Sequence, residues 1–259
     1  MLSFFMSLNF IWQALIAGLF TFIVTVLGAA VVFFFKKVNK SILDIMLGFA
    51  AGVMLSASFF SLLNPALELA GKLNMIPWLI AFIGFTLGGL LLFIGDKVFP
   101  KIIKNTSKKG AMLILSIGLH NIPEGLAVGV AFGSIKYHIE GATIMSALLL
   151  TLGIALQNFP EGTAVSLPLK REGMSSKKAF IIGSLTAIVE PISSVIGALL
   201  VIKVREVLPL LLSFAAGAMI YVVIEELLPE NQKGNKKGLM SMWTILGFGL
   251  MMILDVAFS

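Results

Sequence analysis

Runs of twenty or more residues almost free of charge recur along this chain, and they constrain its fold more than any single motif. Crossing a hydrocarbon core takes about 20 apolar residues in helix. By that measure the sequence holds eight spans, at roughly 11–34, 44–70, 77–96, 111–133, 142–168, 179–202, 207–228 and 239–257. Of its 259 residues 58% are hydrophobic and 12% charged, with a mean hydropathy of +1.03. A soluble domain of this length would lack the polar residues to cover its surface. The runs are too long and too uniformly apolar for barrel strands. The expectation is an all-α integral membrane protein forming a single transmembrane domain over 1–259. The first run is long enough to span and no basic region precedes it, so a cleaved signal peptide is not expected.

The placement of cations orients the spans. Lys36, Lys37 and Lys40 follow the first span; Lys97, Lys101, Lys104, Lys108 and Lys109 follow the third. Lys170, Arg171, Lys177 and Lys178 follow the fifth, and Lys233, Lys236 and Lys237 the seventh. Only Lys72, Lys136, Lys203 and Arg205 of the nineteen lie on the other side. The positive-inside rule puts the fifteen in the cytoplasm and both termini outside, in a multi-pass protein of the cytoplasmic membrane. The net charge of +6 is thus a topology signal and not a nucleic-acid surface. The longest loop, 97–110, is a basic connector, and His138 in the loop after span four reads as solvated. Cysteine is absent, which removes disulfides and thiolate ligands.

Two stretches repeat. "HNIPEGLAV" at 120–128 matches "QNFPEGTAV" at 157–165, and "FAAGVML" at 49–55 matches "FAAGAMI" at 214–220. In the topology above, spans four and five run in opposite directions, as do spans two and seven. Spans one to three are therefore expected to relate to six to eight, and four to five, as an inverted 3+2+3 repeat of the kind found in secondary transporters.

The first repeat sets polar groups inside apolar helices. His120 and Asn121 lie four and three residues before Glu124, so all three share a helical face. Gln157, Asn158 and Glu161 reproduce that spacing on the antiparallel neighbour. Pro123 and Pro160 cannot donate to the carbonyls of Leu119 and Leu156, so each helix should kink and free an oxygen that water or a cation can take. Glu190, in "TAIVEPISS", is a third carboxylate deep in a span and again precedes a proline. An isolated carboxylate at mid-membrane costs roughly 2.5–3.5 kcal/mol even on insertion scales. No lysine or arginine lies comparably deep, so a bound cation best supplies the missing positive charge. Imidazole, amide oxygen and carboxylate suit Zn²⁺, Fe²⁺, Mn²⁺ or Cd²⁺, and do not rank them. Two facing carboxylates can bridge two ions, and like charges in a low dielectric make metal entry compete with protons.

With "HNIPEG" and "QNFPEG" in spans four and five, "GFAAGVMLSASFFSLLNPALE" in span two and "FAAGAMIYVVIEELLPE" in span seven, essentially the whole chain resembles the Zrt-/Irt-like (ZIP) metal transporters, their prokaryotic branch above all. The resemblance implies a two-metal centre in spans four to six. One site would use His120, Glu124, Gln157 and Glu161. The other would use Asn121, Glu124, Asn158, Glu161 and Glu190, with Glu124 and Glu161 bridging. It also implies uptake of zinc or a related dication into the cytoplasm, a homodimer, and elevator-type alternating access. Many eukaryotic members carry a histidine-rich loop after span three; here that loop is rich in lysine and has no histidine. Many members open the span-five motif with histidine; Gln157 here implies a looser first site or a broader metal preference. The resemblance makes Glu225 and Glu226, at the cytoplasmic end of span seven, a candidate exit. By the topology, Glu68 and Asp255 near the outer ends of spans two and eight are candidate entry residues, and Ser56, Ser58, Ser61 and Asn64 add polarity to span two.

Two other classes compete. An intramembrane metalloprotease would want a His-Glu-x-x-His helix, and the chain has two histidines in all. A proton-coupled carrier of an organic substrate would use the glutamates as relays, but it leaves the clustered amides unexplained. The chain is read as a transporter of dications, not an enzyme, with membrane lipid as its surroundings and no prosthetic cofactor.

Overall fold

The computed structural model describes residues 2–35, 40–98, 108–139, 142–228 and 237–258. The connectors at 36–39, 99–107 and 229–236, with their lysines, lie outside the described residues, as do the side chains of His120 and Glu226. Every described element is helical: α1 Leu2–Ser7, α2 Phe10–Ala30, α3 Lys40–Ala57, α4 Asn64–Lys72, α5 Pro77–Val98, α6 Lys108–Lys136, α7 Ile144–Arg171, α8 Ser176–Leu185, α9 Val189–Leu199, α10 Val201–Val222 and α11 Lys237–Phe258. Among the described residues six stretches are long and apolar enough to cross a membrane: Phe10–Phe34, Asp44–Lys72, Pro77–Gly95, Ile144–Arg171, Ser176–Leu199 and Val201–Glu225. Ser241–Ala257 in α11 is apolar but shorter, and α6 is a 29-residue helix interrupted in polarity by the first island. The chain is therefore a multi-pass membrane protein.

Local chemistry sets where helices start and bend. Asn9 caps α2 by accepting from the Ile11 N–H at 3.0 Å, and Thr143 and Ser146 form a reciprocal capping box at the start of α7. A π-helical turn, Ser58–Leu63, joins α3 to α4. Pro65 has no N–H for the carbonyl of Ser61, so the turn widens and Asn64 donates to Phe59 instead. A second π turn, Val223–Leu227, ends α10. Each begins nine residues after the phenylalanine of a "FAAG" repeat, Phe49 and Phe214.

Packing sorts the helices into two groups. Helix α2 packs along α7 and α6 along α9; α3 packs along α11 and α5 along α10. Exchanging α2 with α9, α6 with α7, α3 with α10 and α5 with α11 turns this set of pairs into itself. Within each pair glycine brings backbones together. A Cβ on Gly162 would fall on the Thr25 carbonyl, on Gly129 on that of Ser194, on Gly52 on that of Thr244, and on Gly217 on that of Phe85. Gly18, Gly28, Gly84, Gly88, Gly125, Gly133, Gly197 and Gly247 likewise have their closest contact within their own group. Between the groups α6 meets α10 through an aliphatic seam that includes Leu126, Ala127, Val130, Leu208, Leu212 and Ala215.

The polarity is inside out relative to a soluble bundle. Trp78, Phe82, Leu27 and Ile253 are exposed, whereas Thr21, Thr25, Asn121, Glu124, Gln157, Asn158, Glu161 and Glu190 are 0% exposed. One loop cation is also drawn in. The Lys170 ammonium, half-buried at the end of α7, donates to the Val32 carbonyl at 3.2 Å, to the Phe35 carbonyl and to Ser176 Oγ at 2.7 Å. It ties together the ends of α2, α7 and α8.

Candidate metal centre

Three helices of one group carry the polar islands. Helix α6 runs on through Pro123 and α7 through Pro160; the interruption falls in the sixth span, at residues 186–188 between α8 and α9. Its cause is Pro191. With no N–H there, the Ala187 carbonyl would be orphaned in the helix. The backbone tightens, and the Glu190 N–H bonds Ala187 at 3.0 Å. That frees the Thr186 carbonyl, which the Asn121 amide takes at 3.1 Å. The span thus restarts at Glu190, whose carboxylate lies in the first turn of α9.

The glycine after each motif glutamate then closes the site. Gly125 lets α9 approach so closely that a Cβ would lie 2.5 Å from the Glu190 carbonyl oxygen and 2.9 Å from its Cα. Gly162 does the same for α2 at Thr25. As a result, Glu190 Oε2 accepts from Asn158 Nδ2 at 2.8 Å and Oε1 from the Thr25 hydroxyl at 3.4 Å. Glu124 Oε1 accepts from Gln157 Nε2. The carboxylates of Glu124, Glu161 and Glu190 are near enough to repel one another.

Of the sequence-predicted ligands, the fold brings Asn121, Glu124, Gln157, Asn158, Glu161 and Glu190 into one fully buried region. His120 sits one helical turn before Glu124, with its side chain outside the described residues. Among the described residues no three His, Cys, Asp or Glu side chains form a cluster that could hold an ion; what converges is carboxylate together with amide. Asn121 Oδ1, Glu124 Oε2, Gln157 Oε1 and Asn158 Oδ1 are buried with no hydrogen-bond partner. Four such oxygens in hydrocarbon are costly unless a donor or a cation meets them. Oxygen donors with two or more carboxylates suit a divalent ion.

A cavity leads to the centre. Its volume is about 330 Å³, and it runs from Glu68, Lys72 and Arg205 past Ser61 and Ser134 to Glu124. A neighbouring cavity of about 450 Å³ shares Ser61, Pro65 and Ser146 with it and is lined by Asp255. Glu68, exposed and accepting from Asn64 at 3.2 Å, therefore shares one cavity with Glu124. Asp255, which accepts from Ser61 at 2.6 Å, lies one cavity away. Ser58 is bonded within its helix to Met54 at 2.7 Å, and Ser56 is fully buried. Glu225 is exposed in the second π turn and lines neither of these two cavities; Glu226 lies outside the described side chains. His138 is exposed, with φ 51°, at the end of α6, away from the centre.

The sequence reading missed Thr21 and Thr25. They are a four-residue pair in an otherwise apolar span, on the face that meets Gly162. The Thr21 backbone oxygen lies 3.5 Å from Asn158 Nδ2. Their spacing was the available signal, but threonine in a membrane helix most often only bonds its own backbone.

Comparison with known proteins places the chain. Residues 103–255 match the family model described as ZIP Zinc transporter. The zinc transporter ZIP11 of Bos taurus is 38% identical, covering 94% of this chain and 96% of its own. The zinc transporter ZIPB of Bordetella bronchiseptica is 35% identical over 94% of this chain and 81% of its own. The zinc transporter ZupT of Streptococcus mutans is 34% identical, over 88% and 91%.

Proposed function

The chain belongs to the ZIP zinc transporter family, and from that premise we propose that it carries divalent transition-metal ions, zinc foremost and also iron, manganese or cadmium, into the cell across the cytoplasmic membrane. Family members are transporters, not enzymes. The observation that carries the reading is the set of buried, unpartnered oxygens beside Glu124 and Glu190, a shell built for a cation that must shed its water. Both sites of the two-metal centre draw on these residues: His120, Glu124, Gln157 and Glu161 for the first, and Asn121, Glu124, Asn158, Glu161 and Glu190 for the second. Glu68 and Asp255 line the approach. Glu225 and Glu226 receive the ion at the far end. The protein works as a homodimer with eight spans and both termini outside.

The self-exchanging helix pairs and the matched π turns support the inverted 3+2+3 repeat. The sorting of glycine contacts supports an elevator movement. The pairs α2–α7, α2–α9, α6–α9, α3–α11 and α5–α10 are each joined by backbone-close contacts, while the α6–α10 seam is made of aliphatic side chains, which slide without breaking directional bonds.

The test is uptake of radioactive zinc into proteoliposomes. The native protein accumulates zinc, and Glu124→Ala and Glu161→Ala reduce the rate by at least about 100-fold, as removal of a buried charged ligand should. Native protein that moves no divalent metal, or variants that move it equally well, would sink the reading.

A further inference from the structure

A cavity of another kind borders α7. Its volume is about 200 Å³, and its walls include Phe49 and Ala50 of α3, Phe159, Pro160 and Thr163 of α7, and Trp243 of α11. It sits where α7 of one helix group meets α3 and α11 of the other. Its chemistry is the reverse of the metal centre's. The Thr163 hydroxyl is already engaged by the Gly28 and Phe159 carbonyls, at 2.9 and 3.1 Å, and the Trp243 indole N–H is the other strongly polar side-chain group in the lining. A held water needs two to four polar partners, and apolar cavities of about 150 Å³ stay dry and take up hydrocarbon instead. Phe159 is 44% exposed, and on a helix inside a bilayer that exposure is to acyl chains. The three helices also agree on depth. Helix α3 starts at Lys40, α11 starts at Lys237 and α7 ends at Arg171, all on one face of the membrane in the topology above. At the helical rise, the six named residues lie about 9–18 Å from those ends, within the reach of one leaflet's chains in a core about 30 Å thick. Trp243 is the outermost of them, where a ring with one polar edge belongs.

We propose that this cavity seats one acyl chain of a phospholipid from that leaflet. Trp243 meets the chain at the end nearer the headgroups, and the chain runs past Ala50 to Phe159 and Pro160. The occupant is a hydrocarbon chain and not a polar solute, because the lining offers hydrocarbon and a single indole N–H. It differs from lipid on the open faces of the helices, since walls from three helices hold it. Because α7 belongs to one group and α3 and α11 to the other, a chain seated here touches both. The site requires only that the protein is embedded in a membrane, and it goes beyond the transport reading without resting on it.

Bromine on an acyl chain quenches tryptophan fluorescence on contact, which makes Trp243 a reporter. The full chain with Trp12→Phe and Trp78→Phe keeps Trp243 as its sole tryptophan. With Trp12→Phe and Trp243→Phe it keeps Trp78, which is 68% exposed and outside this lining. Each protein is reconstituted in phosphatidylcholine vesicles with plain or brominated chains, with and without Ala50→Leu. Ala50 is 2% exposed, and the substitution adds three carbons at the cavity wall. Brominated chains quench Trp243, Ala50→Leu removes most of that quenching, and Trp78 is quenched equally in both backgrounds. If Trp243 is quenched equally with and without Ala50→Leu, the contact is ordinary boundary lipid and the site is overturned. If Trp243 is quenched in neither, protein covers the cavity, a second copy of the chain included, and the site is again overturned. A fall at Trp78 in step with Trp243 would trace the effect to altered embedding and overturn it too. Should Ala50→Leu fail to fold, Ala50→Val, which adds two carbons, makes the same comparison. Zinc movement plays no part in this readout, so a native protein that carries no zinc would overturn the transport reading and leave the lipid site standing.

Discussion

Gly125→Ala puts the assembly of the centre to its sharpest test. The added methyl would press on Ser193 Oγ and lie 2.5 and 2.9 Å from the carbonyl oxygen and Cα of Glu190. Neither of those atoms is the movable end of a side chain. Ordinary carbon contacts begin near 3.5 Å, so α9 must retreat by about 1 Å. Overpacking of this kind costs about 1–3 kcal/mol, against up to about 1 kcal/mol gained by replacing glycine with alanine in a helix. The net cost of about 1–2 kcal/mol lowers Tm by roughly 3–8 °C in a protein of this size. The retreat also carries Glu190 away from Asn158 and Thr25, and losing one charge-assisted contact weakens zinc binding about tenfold or more. Gly153→Ala is the control: nothing lies within 4 Å of its Cβ, so it should hold or raise Tm and leave zinc affinity unchanged. Thermal unfolding of the purified protein in detergent and zinc titration of the same samples read both effects. If Gly125→Ala matches Gly153→Ala in stability and affinity, the close approach of α9 to α6 does not set Glu190, and the account of the site is wrong.

Other perturbations probe separate parts of the argument. Thr25→Val keeps the shape of span one but removes the hydroxyl from Glu190, and should weaken zinc binding by several-fold, about 1 kcal/mol; unchanged titrations would remove Thr25 from the centre. Zinc affinity should fall with acidification, about tenfold per pH unit for each proton that binding displaces, because carboxylate and imidazole ligands must be deprotonated to bind. A flat profile would show that metal and protons do not compete. Lys170→Met strands the Val32 and Phe35 carbonyls and should lower stability by about 2 kcal/mol, with zinc affinity near native because the ammonium lies at the ends of the helices. Native Tm in that variant would mean that water substitutes for the ammonium.

The sequence showed the site more clearly than the fold details that build it. Glu124, Glu161 and Glu190 stood out because a carboxylate inside an apolar run is too costly to be incidental, and the i, i+3 and i, i+4 spacings placed the amides beside them. The break in span six was not legible. A proline inside "TAIVEPISS" looks like those at 123 and 160, yet α6 and α7 run through their prolines while the sixth span stops at residues 186–188. The difference is that Asn121 reaches across to satisfy the freed Thr186 carbonyl, a contact 65 residues away in sequence. Thr21 and Thr25 were missed for the same kind of reason: their partner, Glu190, is brought to them only by α2 packing against α9. Lys170 read as a loop cation and proved to be a clamp, since a lysine's stem lets it lie in the fold while its charge finds carbonyls.

Every side chain of the centre comes from one helix group: Thr21 and Thr25 from α2, Asn121 and Glu124 from α6, Gln157, Asn158 and Glu161 from α7, and Glu190 from α9. The cavity that leads to it is different. Its wall is shared with α4 and α10 through Glu68, Arg205, Leu208 and Leu212. A site built wholly within one body keeps its ligand distances fixed when that body moves, whereas a cavity shared between bodies opens or closes with the same movement. Glycine-close backbones within the helix pairs and aliphatic side chains at the α6–α10 seam have matching mechanical consequences. The first resist shear because backbone atoms already touch; the second permit it because dispersion contacts can re-form in a new register. In the proposed cycle this division of labour lets access change without the coordination shell coming apart, and it is why Glu124 can be both deeply buried and reachable.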